Sequence, residues 1–131
     1  MGRIQVLVCD DSETDLQLLV RMLLRNPDID VAAVARRGDE VMPLVERMQP
    51  SLITLDLTLP GKDGLEVIEE VMSKRPTPIL VISGRAHDPE VALEALARGA
   101  VEVIEKPELS QVDTSILERE AARLRELVRV L

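Results

Sequence analysis

Five short apolar runs punctuate the chain at Ile4–Cys9, Ile29–Ala35, Leu52–Leu55, Ile79–Ile82 and Val101–Ile104. Most are continuous rather than alternating, as in strands buried on both faces of a parallel sheet. The segments between them carry apolar residues at helical spacing instead. Leu16, Leu19, Val20, Leu23 and Leu24 form one stripe, and Val41, Leu44, Val45 and Met48 a second. Leu65, Ile68, Val71 and Met72 form a third, and Val91, Ala92, Ala95 and Leu96 a smaller fourth. A last stripe, Leu117, Ala121, Leu124, Val128 and Leu131, predicts a closing helix over about 111–131.

The punctuation between the runs agrees. Ser12 and Asp15 have the spacing of a capping box, and Asp88-Pro89 offers an N-cap followed by a proline at the first helical position. Gly99 stands where a helix commonly ends in a left-handed residue, and Pro27, Pro50 and Pro76 each follow a helical stretch. The chain therefore reads as α/β, a (βα)5 doubly wound parallel five-stranded sheet with right-handed crossovers and helices on both faces.

Composition narrows the class. At 131 residues the chain is long enough for one domain with a substantial core. Phe, Tyr and Trp are absent, so Leu, Val, Ile, Ala and Met must fill that core. A net charge of −8 argues against binding nucleic acid or an anionic membrane surface. No apolar run is long enough for a signal region or a membrane span, and the single cysteine, Cys9, fits a reducing compartment. A cytoplasmic location is the expectation.

The polar residues that interrupt this pattern are the informative ones. In open α/β sheets ligands bind beyond the carboxyl ends of the strands. The first run ends in Asp10 and Asp11, the third in Asp56, the fourth in Ser83, and the fifth reaches Lys106. Two adjacent carboxylates at the mouth of a core repel by about 4 kcal/mol at 4 Å and an effective dielectric near 20. That repulsion is expected to raise at least one of their pKa values. The trio calls for a divalent cation, and an all-oxygen donor set suits Mg2+, with Mn2+ the alternative. A carboxylate beside such a cation can attack phosphorus and form an acyl phosphate, with Lys106 and Ser83 meeting the phosphoryl oxygens. A lone acid, serine or lysine at a strand end is ordinarily just a solvated loop residue. Five at the correct strand ends of one short chain are far harder to assign to chance.

On the acid pair "DDS", the segment "LDLTLPGKDG", the "VISG" strand and "ALEALARGAVEVIEKP", the chain resembles a receiver domain of a two-component response regulator. The resemblance spans Ile4 to Pro107. It implies the flavodoxin-like strand order 2-1-3-4-5 and a receiver domain occupying 1–131. It also implies Asp56 as phosphoacceptor and Asp11 and Asp56 as direct Mg2+ ligands, with the backbone carbonyl of Thr58 as the third. Asp10 would act through water, Ser83 and Lys106 would bind the phosphoryl group, and Lys106–Pro107 would be a cis peptide. A sensor histidine kinase would be the phosphodonor, and a downstream protein or fused output domain the recipient of the signal.

The stretch from Thr77 to Leu109 is similar to receivers of the chemotaxis protein-glutamate methylesterase. No Ser/His/Asp hydrolase pattern follows Lys106, so the chain is expected to be no enzyme beyond its own phosphorylation and dephosphorylation. Two positions depart from the usual receiver pattern. Val103 stands where a switch aromatic is common, and Gly84 where alanine is common, opening the site edge next to Arg85. His87 reads as a surface residue, Cys9 as a small buried hydrophobe, and Met42, Met48 and Met72 as core filler.

Three other functions fit parts of the sequence. Asp56-Leu57-Thr58 mimics the nucleophile motif of haloacid dehalogenase-type phosphohydrolases, but that family carries its nucleophile on the first strand. A pseudo-receiver would lack one of the site residues. A flavin-binding relative would need aromatics to flank the ring.

Overall fold

The computed structural model describes residues 3–106. Its elements run β1 (Ile4–Cys9), α1 (Glu13–Leu24), β2 (Ile29–Ala35), α2 (Gly38–Met48), β3 (Leu52–Leu55), α3 (Gly64–Lys74), β4 (Ile79–Ser83), α4 (Pro89–Arg98) and β5 (Glu102–Glu105). The five strands are parallel, as the apolar pattern predicts, and run in the order β2-β1-β3-β4-β5 that the receiver resemblance implies. Pro107 with its cis-peptide expectation, and the closing helix over 111–131, lie outside the described residues.

Period-two alternation splits the core into two layers. Leu7, Cys9, Ile53, Leu55, Ile79 and Val81 point to one face, where α2 brings Val41, Met42 and Val45 and α3 brings Val67, Ile68 and Val71. Val6, Val8, Leu52, Leu80, Ile82 and Ile104 point to the other, where α1 brings Leu16, Leu19, Met22 and Leu23. Fully burying each such side chain contributes about 1.5–3 kcal/mol, which makes this pattern the main determinant of the fold.

The helix stripes need three corrections. Leu24 is exposed and Met22 takes its place in the core, because Leu24 lies about 200° round the helix from Met22. Met48, on the last turn of α2, is exposed rather than core filler, and Leu96 on α4 is exposed as well. On α4 only Ala95 is fully buried, so a small residue sets how closely that helix approaches the sheet.

The N-caps form, but the capping box closes on one side only, because the Ser12 N–H goes to Asp10 Oδ1 and the Asp15 carboxylate to Lys106. Ser12 Oγ accepts the Asp15 N–H at 3.3 Å and Asp88 Oδ1 accepts the Glu90 N–H at 3.0 Å. Gly99 closes α4 at φ 126°, and a Cβ there would stand 2.7 Å from Met72 Cγ. The segment between β4 and α4, which carries neither an apolar run nor a helical stripe, is a short 3-10 turn over Gly84–His87.

Candidate phosphoacceptor site

Three backbone hydrogen bonds carry the sheet ladder one residue past the strand ends. Asp10 N donates to Ala35 O at 3.0 Å, Asp56 N to Cys9 O at 3.0 Å and Lys106 N to Ser83 O at 3.1 Å. The sheet itself therefore fixes where these three side chains start. Gly64, the first residue of α3, lets the β3–α3 loop before it fold back tightly, since a Cβ there would come within 2.6 Å of the Leu57 Cα.

The acids predicted from sequence do meet. Asp10, Asp11 and Asp56 each offer a carboxylate oxygen, and these oxygens lie within 4.8 Å of one another. Asp10 and Asp56 are buried and Asp11 is exposed. Part of the charge problem is met by the chain's own ammonium. Lys106 Nζ lies 2.6 Å from Asp10 Oδ2, 2.9 Å from Asp56 Oδ2 and 2.8 Å from Asp15 Oδ2. The remaining oxygens are satisfied locally. Asp10 Oδ1 accepts the Ser12 N–H at 2.9 Å. Asp56 Oδ1 accepts the Thr58 N–H at 2.9 Å, the Thr58 hydroxyl at 2.8 Å and the Ser83 hydroxyl at 2.9 Å.

These contacts divide the two buried carboxylates. Burial pushes the Asp10 carboxyl above its ordinary range, against the opposing pull of Lys106 and the Ser12 amide. Repulsion from Asp56 is a minor contributor, so desolvation rather than the charge pair is the main cause of the rise. Burial acts on Asp56 in the same sense, but the Thr58 amide, Lys106 and the Thr58 hydroxyl together hold it below the usual value. Lys106 is held above an ordinary lysine because hydrogen bonds to its three carboxylates outweigh burial. Burial drives the Cys9 thiol strongly up, which removes it as a thiolate nucleophile or ligand.

Around this centre the other predicted residues take distinct places. Thr58 holds Asp56 through its amide and hydroxyl, a contact that sequence reasoning missed; only its carbonyl was considered. Gly84 is exposed, and a Cβ added to it would meet nothing within 4 Å. Arg85 reaches across to the β3–α3 loop, its Nη1 donating to Leu57 O at 3.3 Å and standing 3.7 Å from Asp63 Oδ1. Val103 pairs with Val81 and packs, half-buried, against the larger core layer. Asp15 is the residue that sequence reasoning left out of the site. It was read as a helix cap, and nothing in the spacing of residues 15 and 106 announces their contact.

A parallel sheet in this order, ending in an acid trio with a hydroxyl and an ammonium, defines a class of signalling module. The family model for the response regulator receiver domain matches residues 6–116, and the chain belongs to that family of two-component signalling proteins. Within it, the chain is related to chemotaxis methylesterases. It is 42% identical over 109 residues to protein-glutamate methylesterase/protein-glutamine glutaminase 3 of Paramagnetospirillum magneticum, a match covering 83% of this chain and 30% of that protein. It is 38% identical over 122 residues to the corresponding protein 1 of Syntrophus aciditrophicus, covering 92% of this chain and 35% of the relative. The chain thus spans about a third of the length of the curated relatives it matches. Among solved structures, the response regulator domain of Thermotoga maritima CheB superposes with a TM-score of 0.85 at 31% identity, covering 97% of this chain and 94% of that one. The BeF3-activated receiver domain of Klebsiella pneumoniae RstA gives 0.74 at 28% identity, with coverages of 95% and 98%.

The donor set fits a hard dication. It is all oxygen, drawn from three clustered carboxylates, and no histidine or thiolate shares it. Among the described residues no helix is long and apolar enough to cross a membrane.

Proposed function

We propose that this receiver accepts a phosphoryl group on Asp56 from a sensor histidine kinase and passes the signal to a downstream protein or fused output domain. The observation that carries the reading is the hydrogen-bonding asymmetry of Asp56. Its Oδ1 already accepts three donors, whereas Oδ2 accepts only Lys106, which leaves Oδ2 with a free lone pair for attack. As the new O–P bond forms, the donor's P–N bond breaks and its electron pair leaves on the imidazole nitrogen, which takes up a proton. Water attack on phosphorus reverses the state by breaking the acyl-phosphate O–P bond and returning the carboxylate and inorganic phosphate.

The side chains divide this work. The low pKa of Asp56 keeps it a carboxylate, and therefore a nucleophile, at neutral pH. Lys106 and the Ser83 hydroxyl are positioned to receive the phosphoryl oxygens, and Ser83 would turn from Asp56 Oδ1 to do so. Asp10, Asp11, Asp56 and the Thr58 carbonyl would hold Mg2+, or Mn2+, which supplies positive charge to the phosphoryl oxygens when bound. Arg85, already beside Leu57, lies at the edge of the group and would tune hydrolysis. Gly84 leaves the 3-10 turn free to follow Ser83, and Val103 is too short to act as a swinging switch.

The relationship to the chemotaxis methylesterases supports a chemotaxis-type phosphorelay in the cytoplasm, with 1–131 as its receiver domain. The catalysis proposed for this chain is limited to its own phosphorylation and dephosphorylation. A dehalogenase-type hydrolase is disfavoured because Asp56 ends β3, not the first strand. A non-phosphorylated module is disfavoured because all five site residues are present and assembled.

The deciding experiment is intact mass after incubation with Mg2+ and a small acyl-phosphate or phosphoramidate donor. One phosphoryl group should add to the wild type and none to Asp56→Asn, with no addition when the metal is chelated. Persistent labelling of Asp56→Asn would sink the assignment.

A further inference from the structure

We propose that Asp15 is a positioning residue that gives Lys106 a resting place beside the phosphoacceptor and competes with the phosphoryl group for it. This rests on the reading of Asp56 as phosphoacceptor and names a control built into the same site.

An ammonium has three protons to donate, and Lys106 lies within 2.9 Å of three carboxylates, Asp10, Asp15 and Asp56. No donor is left over for a phosphoryl oxygen, so one of these contacts must break when a phosphoryl group arrives. Asp10 and Asp56 belong to the acid trio that suits a dication; Asp15 does not. Asp15 comes instead from the first turn of α1, where the Ser12 cap fixes its backbone. Its side chain is 26% exposed, against 2% and 4% for Asp10 and Asp56.

A cation shared by the trio changes the balance. It compensates Asp10 and Asp56 and repels the ammonium, leaving Asp15 as the one uncompensated partner of Lys106. Asp15 thereby helps the cation enter, because Lys106 can turn to it without leaving the site. A phosphoryl group then supplies new oxygens close to Asp56, and the contact that yields is the one most open to solvent, Lys106–Asp15. One carboxylate thus favours the metal and opposes the phosphoryl group, both through the same lysine. The partner that phosphorylation releases lies on α1, so the first turn of that helix also loses a tether to β5.

The test is calorimetric, since the chain has no aromatic residue to report binding by fluorescence. Mg2+ is titrated into wild type and Asp15→Asn, and beryllofluoride is then titrated at saturating Mg2+. A partly exposed ion pair predicts changes of about threefold in each. Asp15→Asn should weaken Mg2+ and tighten beryllofluoride by that factor. Plain loss of a negative charge gives the same pair of signs whether or not Lys106 is present. The cycle is therefore repeated in Lys106→Met, where positioning through the lysine predicts that both effects vanish. Effects that persist there overturn the proposal, as do unchanged affinities in Asp15→Asn itself. A second measurement does not depend on the folding of Lys106→Met. Hydrogen exchange of the Lys106 ammonium in the Mg2+-loaded protein should quicken in Asp15→Asn, and equal exchange in the two proteins overturns the proposal. A wild type that binds neither Mg2+ nor beryllofluoride overturns the phosphoacceptor reading, and the role of Asp15 with it.

Discussion

The ends of β1, β3 and β5 and the segment from Gly84 to Arg98 lie side by side, yet they are held in very different ways. Asp10 and Asp56 are buried, anchored by ladder hydrogen bonds and engaged through every carboxylate oxygen. The 3-10 turn buries no residue, α4 buries only Ala95, and Leu93 on its outer side is 67% exposed. Ser83 belongs to both regions. Its hydroxyl is on Asp56, while it also accepts the Arg85 N–H at 3.2 Å as the cap of the turn. A change at Asp56 thus meets a rigid centre on one side and a lightly held segment on the other. The segment is the part that can move at low cost.

The strongest way to break this contrast is to remove the cation from the rigid side. Lys106→Met leaves Asp10 and Asp56 buried without their shared ammonium, and breaking such a pair costs about 3 kcal/mol. Urea unfolding of the metal-free variant should show a loss of that size. Mg2+ should recover more stability in the variant than in the wild type, because it no longer competes with the lysine. On the other side, Leu93→Ala removes an exposed side chain and should change stability by less than about 0.5 kcal/mol. Similar losses in the two variants would remove the basis of the comparison.

A smaller effect sharpens it. Gly84 has no left-handed φ and open space where a Cβ would stand, so Gly84→Ala mainly restricts the unfolded chain. It should stabilise the protein by about 0.5 kcal/mol. It should also stiffen the lightly held side. Amide shifts of residues 85–98 on beryllofluoride addition should then shrink, while those of Asp56 and Thr58 keep their size. A full response across 85–98 in the stiffened variant would mean that the turn is not what carries the change.

The same division separates what was legible in the sequence. The strands could be read because burial on both faces leaves continuous apolar runs, and the site because Asp10, Asp11, Asp56, Ser83 and Lys106 each lie within two residues of the end of such a run. Asp10, Asp56, Ser83 and Lys106 were therefore located from one dimension. Their detailed contacts were not. The hold of Thr58 on Asp56 depends on how the β3–α3 loop turns, and the contact of Asp15 with Lys106 joins residues that only the fold brings together. The α1 and α2 stripes overreached at Leu24 and Met48, because period counting cannot tell the centre of an apolar face from its edge. The β4–α4 turn was illegible because four residues without a buried side chain leave no hydrophobic pattern.

A further effect, no larger than that expected of Gly84→Ala, lies on α3, outside the acid trio, and tests whether charge alone stabilises the sheet's flank. Glu70 on α3 accepts from Lys74 one turn on at 3.1 Å and pairs with Lys62 of the β3–α3 loop at 3.0 Å. Burial is the largest single influence and pushes its carboxyl up, but the hydrogen bonds and charges of the two ammonium groups together outweigh it and leave the group below an ordinary glutamate. A carboxyl depressed by folding contributes stability above its unfolded pKa, and loses it as pH falls through the folded value. The contribution should be complete above about pH 5 and fade below 4.5, in the acid range where the folded group finally protonates. Because Lys74 is more than half exposed, screening keeps the whole effect to about 0.5 kcal/mol. Urea unfolding of wild type and Glu70→Gln at pH 7 and at pH 3.5 should therefore show a gap at the higher pH that narrows at the lower one. The gap should also narrow in 1 M salt, where the Debye length falls to about 3 Å. A gap that ignores both pH and salt would assign Glu70 to packing of its stem against the helix, and leave Asp10, Asp56 and Lys106 as the region where charge governs stability.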